Sequence, residues 1–206
     1  MKIRQGGWVP LTIAFVLFIL MTTWNRGREI VQDLLRRGML PIDLLLADIE
    51  NRKTVRVPGL AVFMTREPEG APVVLLHHLK HNKVLHETNL FVTVKHHEVP
   101  WLSFDRRCQM EPLGNDCWQV TLNFGFKNEP DVPEALGLLR RQGCVIDDMD
   151  TSYFLSRDIV SPSLGSGMAP WREKLFAGMH RNASAAADFL RLPTNRVVEL
   201  GSKLEI

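Results

Sequence analysis

From Gly6 to Trp24 the chain reads GGWVPLTIAFVLFILMTTW, without one charged side chain. No other feature limits the possible folds so strongly. As a helix, roughly 19 residues span about 28 Å, close to the ~30 Å hydrocarbon core of a bilayer. Nine Val, Leu, Ile and Phe residues lie between Val9 and Leu20. Each favours insertion by about 0.3–0.6 kcal/mol. Pro10 falls in the first turn, where a missing N–H matters least. Trp8 and Trp24 bracket the run as interfacial anchors do. A cleaved signal peptide needs a small-x-small site after the apolar core, and MTTWNRGRE offers none. A buried core helix rarely runs so far uncharged. The first 25 residues therefore read as one transmembrane helix. Lys2 and Arg4 precede it, and Arg26, Arg28, Arg36 and Arg37 follow. The positive-inside rule then places residues 26–206 in the cytoplasm.

Charge and cysteine usage narrow the rest. The chain carries 25 Lys+Arg against 23 Asp+Glu, a net of +2. Lys2 and Arg4 are the only charges before Arg26, so the remainder is neutral overall. A nucleic-acid binder would show a basic face or tail. With 45% hydrophobic residues and no charge blocks the chain is no disordered segment either. Cys108, Cys117 and Cys144 are an odd number without paired spacing, which suits free thiols in a reducing compartment.

Residues 26–53 read as an amphipathic helical linker broken at Gly38 and Pro41, lying under the membrane or packed as a hairpin on the domain. Residues 54–206 follow as one α/β domain with a mixed sheet. Strands are expected at Val55–Thr65, with an irregularity at Pro58-Gly59, and at 86–95. A hairpin of Cys108–Leu113 and Trp118–Phe126 turns on Gly114-Asn115-Asp116. Asp131 caps a helix reaching Gln142, closed by Gly143. A strand at Thr151–Ile159 leads to a long helix, Ala169–Leu190. Its apolar stripe is Trp171, Leu175, Met179, Ala183, Ala186 and Leu190. The chain ends in an alternating strand within Asn195–Ile206.

The densest reactive cluster is LLHHLKHNKVLHE, residues 75–87. His77 and His81 sit at i, i+4 on one helix face, a spacing that can hold zinc. The glutamate of HExxH is missing, because Leu79 and Lys80 fill the interval. Lys80 and Lys83 beside these histidines could bind an anion, and imidazoles could answer to pH. The plainer reading is a solvated helix face. Asp147, Asp148 and Asp150 do not fit a calcium loop, which needs Gly where Tyr153 stands. No phosphate-binding or nucleophile-elbow motif occurs. The residues give no support for an enzyme and imply no cofactor.

In order, GGWVPL (6–11), MTTWNRGRE (21–29), RVPGLAVFMT (56–65), LLHHLKHNKVLHE (75–87), EPDVPEAL (129–136), MDTSYFLSRDIVSP (149–162) and the stretch 171–206 resemble the C-terminal end of the Kup family of bacterial potassium uptake permeases. His78 stands where that family is expected to have Asn, and Leu192-Pro193-Thr194 departs from Ile-Pro-Pro. The resemblance implies a proton-coupled potassium importer, a symporter of the cell's inner membrane. It implies that this chain is the last spanning helix plus the cytosolic domain. Intramembrane acidic groups are expected to mark an ion pathway. None lies between Gly6 and Trp24, so no potassium- or proton-binding residue carries over. Implied partners are membrane lipid, the remaining transmembrane core or a second subunit, and, for the full-length permease, potassium and protons. Two other readings compete. One is a stand-alone membrane-tethered module binding an anion or nucleotide near His77, Lys80, His81 and Lys83. The other is a metal-dependent enzyme built on the histidines.

Overall fold

The computed structural model describes residues 8–139 apart from 53, then 150–163, 167–183 and 186–206. Its elements are α1 (Trp8–Arg37), α2 (Ile42–Arg52), β1 (Val55–Thr65), α3 (Val73–Asn82), β2 (Val84–His97), α4 (Phe104–Arg107), β3 (Cys108–Gly114) and β4 (Cys117–Gly125). They continue with α5 (Val132–Gly137), β5 (Thr151–Ser161), α6 (Pro170–Arg181), α7 (Ala186–Phe189) and β6 (Val197–Glu205). The strands make one mixed sheet in the order β3-β4-β2-β1-β5-β6. β1 runs parallel to β2 and β5, β2 parallel to β4, and β3 antiparallel to β4. The long apolar N-terminal helix followed by an α/β domain is the architecture the sequence implies.

Contacts divide the chain into two units. The larger comprises Met39–Arg157 and Ser184–Gly201. Its central strands are continuous apolar runs, as parallel strands covered on both faces require. Along β1, Leu60 and Val62 point into a core with Val120, Leu122, Leu136 and Tyr153. Ala61 and Phe63 alternate into the opposite core, under Leu45 and Ile49 of α2 and Val74 and Leu75 of α3. Pro58-Gly59 breaks the β1–β2 register between Val57 and Leu60. Gly59 takes φ +101°, a region L side chains rarely adopt. Asn115 and Asp116 close the β3–β4 hairpin, both at positive φ, the pattern of a type I′ turn.

Asp131 does cap α5, its Oδ1 accepting from the Glu134 N–H at 2.8 Å. The α-helix ends at Gly137, and residues 138–139 tighten into a 3-10 turn. The remainder of the expected helix, with Gly143, Cys144, Asp147 and Asp148, lies outside the described residues. Cys108 and Cys117 are both buried.

The smaller unit comprises Met1–Gly38, Asp158–Ala183 and Ser202–Ile206. α1 is continuous through Arg37, so no new helix starts at Gly27. Thr23, Gly27 and Val31, one turn apart, are its buried residues. α6 lies on this stripe. Phe176 packs on Trp24 with ring centroids 5.6 Å apart, and Arg172 Nε donates to Thr23 Oγ1 at 3.0 Å. The other half of α1 has no packing partner among the described residues. Leu11, Phe15, Phe18 and Met21 are 64–71% exposed.

α6 corrects two expectations. A single helix over Ala169–Leu190 does not form. It stops at Arg181, where Asn182 turns its side chain back to the Gly178 carbonyl at 2.8 Å and its N–H to Met179. Such local bonding by Asn competes with helix continuation. The buried face is Glu173, Phe176 and Ala177, whereas Trp171 is 56% exposed. Steps of four residues drift by about 40° each at 3.6 residues per turn, so a stripe built on them slides around the helix.

Candidate functional site

The 75–87 segment folds as all but the first two residues of α3 and the start of β2, and it sorts its side chains into two sets. Outward, His77 and His81 stack with their rings parallel, centroids 6.3 Å apart. Lys80 and Lys83 flank a groove of about 690 Å³ floored by Leu44, Leu45, Ile49 and Leu79, with Asp48 also on its wall. Lys83 ends α3 in the left-handed conformation, φ 58° and ψ 24°, its N–H bonded to Leu79. Of the four residues singled out from sequence, the groove joins Lys80 and Lys83 and leaves out His77 and His81. Among the described residues, no three His, Cys, Asp or Glu side chains come together as metal ligands.

The inward set was not distinguished from its neighbours in the sequence. His78 is 4% exposed. Its ring meets Phe154 edge-on at 4.8 Å and Phe63 at 5.8 Å. The His86 ring lies 6.0 Å from that of His78 and 5.8 Å from that of Phe154. Asn82 Nδ2 donates to His78 Nδ1 at 2.9 Å. An amide nitrogen can only donate, so Nδ1 accepts and the neutral ring carries its proton on Nε2. That Nε2, and His86 Nδ1, are buried without a hydrogen-bond partner among the described residues. Burial pushes the pKa of both imidazoles below 6.5. For His78 the neighbouring His86 adds to the fall, and for His86 the Asp150 carboxylate opposes it.

The His86 backbone is held firmly. Its N–H reaches Asn89 Oδ1, and its carbonyl accepts from Asn89 Nδ2 at 2.8 Å and from Arg56 Nη1 at 2.9 Å. Arg56 also donates to the Asn115 carbonyl at 2.7 Å. Nearby, burial pushes the Cys117 thiol up to about 11, which makes it a poor nucleophile at neutral pH.

Chemically, the segment offers proton exchange at one buried and one half-buried imidazole and cationic recognition at two exposed lysines. Both features lie at the amino ends of β1 and β2. Open α/β sheets bind ligands beyond the carboxyl ends of their strands, so this position does not favour a nucleotide crevice. The i, i+4 spacing drew attention to His77 and His81. The alternation of α3 between the groove and the sheet, which selects His78, depends on where the sheet lies.

Residues 58–206 match the family model described as the K+ potassium transporter C-terminal domain. Proteins named probable potassium transport system protein Kup align with the whole chain. They include those of Methylibium petroleiphilum (63% identical), Paracidovorax citrulli (60%) and Nitrosospira multiformis (48%). In each case the alignment covers 100% of this chain and 33% of the relative. The chain thus spans about a third of the length of the curated relatives it matches. No solved structure matches it. With its α/β domain matched to that model and its full length aligned to Kup proteins, the chain belongs to the Kup family of potassium transport proteins, as a C-terminal part.

Proposed function

We propose that the chain is the C-terminal portion of a proton-coupled potassium uptake transporter. Residues 1–25 are its last membrane helix. Residues 26–206 are a cytoplasmic linker and domain that regulates or assembles the transport core in the inner membrane. The observation that carries this reading is the collinear alignment of the whole chain to a third of each Kup relative. The exposed apolar half of α1 supports a place in lipid, because so much contiguous apolar surface is unfavourable in water. One helix cannot enclose a polar ion path, whose lining groups need partners from other helices. The chain alone therefore does not transport. Expression of these 206 residues in a strain lacking potassium uptake should leave growth at low potassium unrescued. Rescue would overturn the reading.

The groove beside Lys80 and Lys83 supports a narrower role for the domain as an anion-binding module. Titrating inorganic phosphate onto the chain and onto its Lys80→Gln/Lys83→Gln variant tests it. Equal responses would remove this role.

A further inference from the structure

We propose that His78 and His86 form a buried proton-binding site that ties the seating of α3 on the sheet to the acidity around the domain. The ligand is a proton from solvent, and no other group is transferred.

The geometry supplies both halves of such a site. His78 presents a buried N–H donor, fixed by the Asn82 contact on its other nitrogen. His86 presents a buried nitrogen without a partner among the described residues, on a ring 6.0 Å away. While both are neutral, donor and acceptor face compatible surroundings. The His78 and Phe154 rings meet edge to face, with centroids 4.8 Å apart. In the tautomer with its proton on Nε2, neutral His86 offers Nδ1 as an acceptor, and a further proton there turns it into a donor. Two N–H groups then compete in one apolar nest, and a cation sits against Phe154 and His78. Burying an unpaired charge costs more than lifting a short helix enough to admit water. His78 is on α3 and His86 on β2, so relief comes from separating these two elements.

The charged groups around the pair set the direction. Asp150, just ahead of β5, favours the cation on His86. Arg56 of β1 is committed to the His86 and Asn115 carbonyls. Cys117 of β4 is neutral at these pH values. Besides His78, α3 contributes no carboxylate, only the half-buried His77 and the exposed Lys80 and His81, with Lys83 at its cap. Glu87 of β2 is exposed. No carboxylate other than Asp150 is thus set against the pair among these residues, and uptake of a proton destabilises the packed state. The site rests on side-chain geometry alone, so its failure would leave the transporter assignment standing.

The test is a titration of the full chain in nanodiscs from about pH 8 to about pH 5, the range in which imidazoles change charge. Carbon-13 histidine resonances and backbone amide exchange are followed together. His78 and His86 are expected to titrate in a coupled step below pH 6.5. Across it, exchange of the α3 amides, corrected for the intrinsic pH dependence, should accelerate about tenfold per pH unit. Amides of β4 should not follow. Asp150→Asn should move the step to lower pH, and His86→Phe should abolish it. The proposal is overturned if the α3 amides do not accelerate, if His78 and His86 do not titrate together below pH 6.5, or if Asp150→Asn leaves the midpoint where it was.

Discussion

Gly27 shows how one residue sets a helix contact. A Cβ built there would lie 2.2–2.4 Å from three atoms of the Phe176 ring, closer than any real contact. Overpacking of this kind costs about 1–3 kcal/mol, against about 1 kcal/mol that Ala gains over Gly inside a helix. Gly27→Ala should therefore lower the thermal midpoint of the chain in detergent. Combining it with Phe176→Ala should cancel the steric part, which a double-mutant cycle reads directly. The two inward histidines make a second residue-scale statement. Their pKa values are depressed below 6.5 by burial. The unfolded chain then binds more protons than the folded one just below 6.5, so unfolding free energy rises with pH in that window. Their stabilisation is complete above about pH 6.5 and is lost as pH falls, at no more than about 1.4 kcal/mol per pH unit for each proton. Denaturant melts of the chain against His86→Phe at several pH values should show this slope shrinking in the variant.

At the scale of elements, caps and faces decide what forms. Asp131 satisfies an orphan donor in the first turn of α5, and such caps are worth about 0.5–2 kcal/mol. Asp131→Ala should cost about 1 kcal/mol, and Asp131→Ser much less, in chemical denaturation. On α6 the buried aromatic side chain is Phe176, 0% exposed, while Trp171 on the same helix is 56% exposed. Phe176→Ala should cost about 3–5 kcal/mol and Trp171→Ala within about 0.5 kcal/mol. Equal losses would mean that the helix faces the other way.

For the whole molecule, the exposed apolar half of α1 and the arginines after it define one orientation. An alkaline phosphatase fused after Ile206 should be inactive and a fluorescent protein in the same place bright. The reverse pattern would put the α/β domain on the opposite side of the membrane.

Local chemistry alone determined much of this protein. The uncharged run before Arg26, the Gly114-Asn115-Asp116 turn, the Asp131 cap and the Pro58-Gly59 irregularity are legible because each depends on nearby residues. So is the fold class, since strand and helix periodicities alternate along 54–206. The motif stretches carried the family for the same reason. Three matters were left to tertiary structure. Asn182 ended a helix that periodicity extends to Leu190, because side-chain bonding to Gly178 outcompeted propensity. The buried face of α6 became Phe176 because α1 offers Gly27 as the place to receive it. His78 rather than His77 or His81 turned inward because the sheet brings Phe63 of β1, His86 of β2 and Phe154 of β5 to one point. Spacing along a helix says which side chains share a face. It cannot say which face the sheet covers, since that depends on strands distant in sequence.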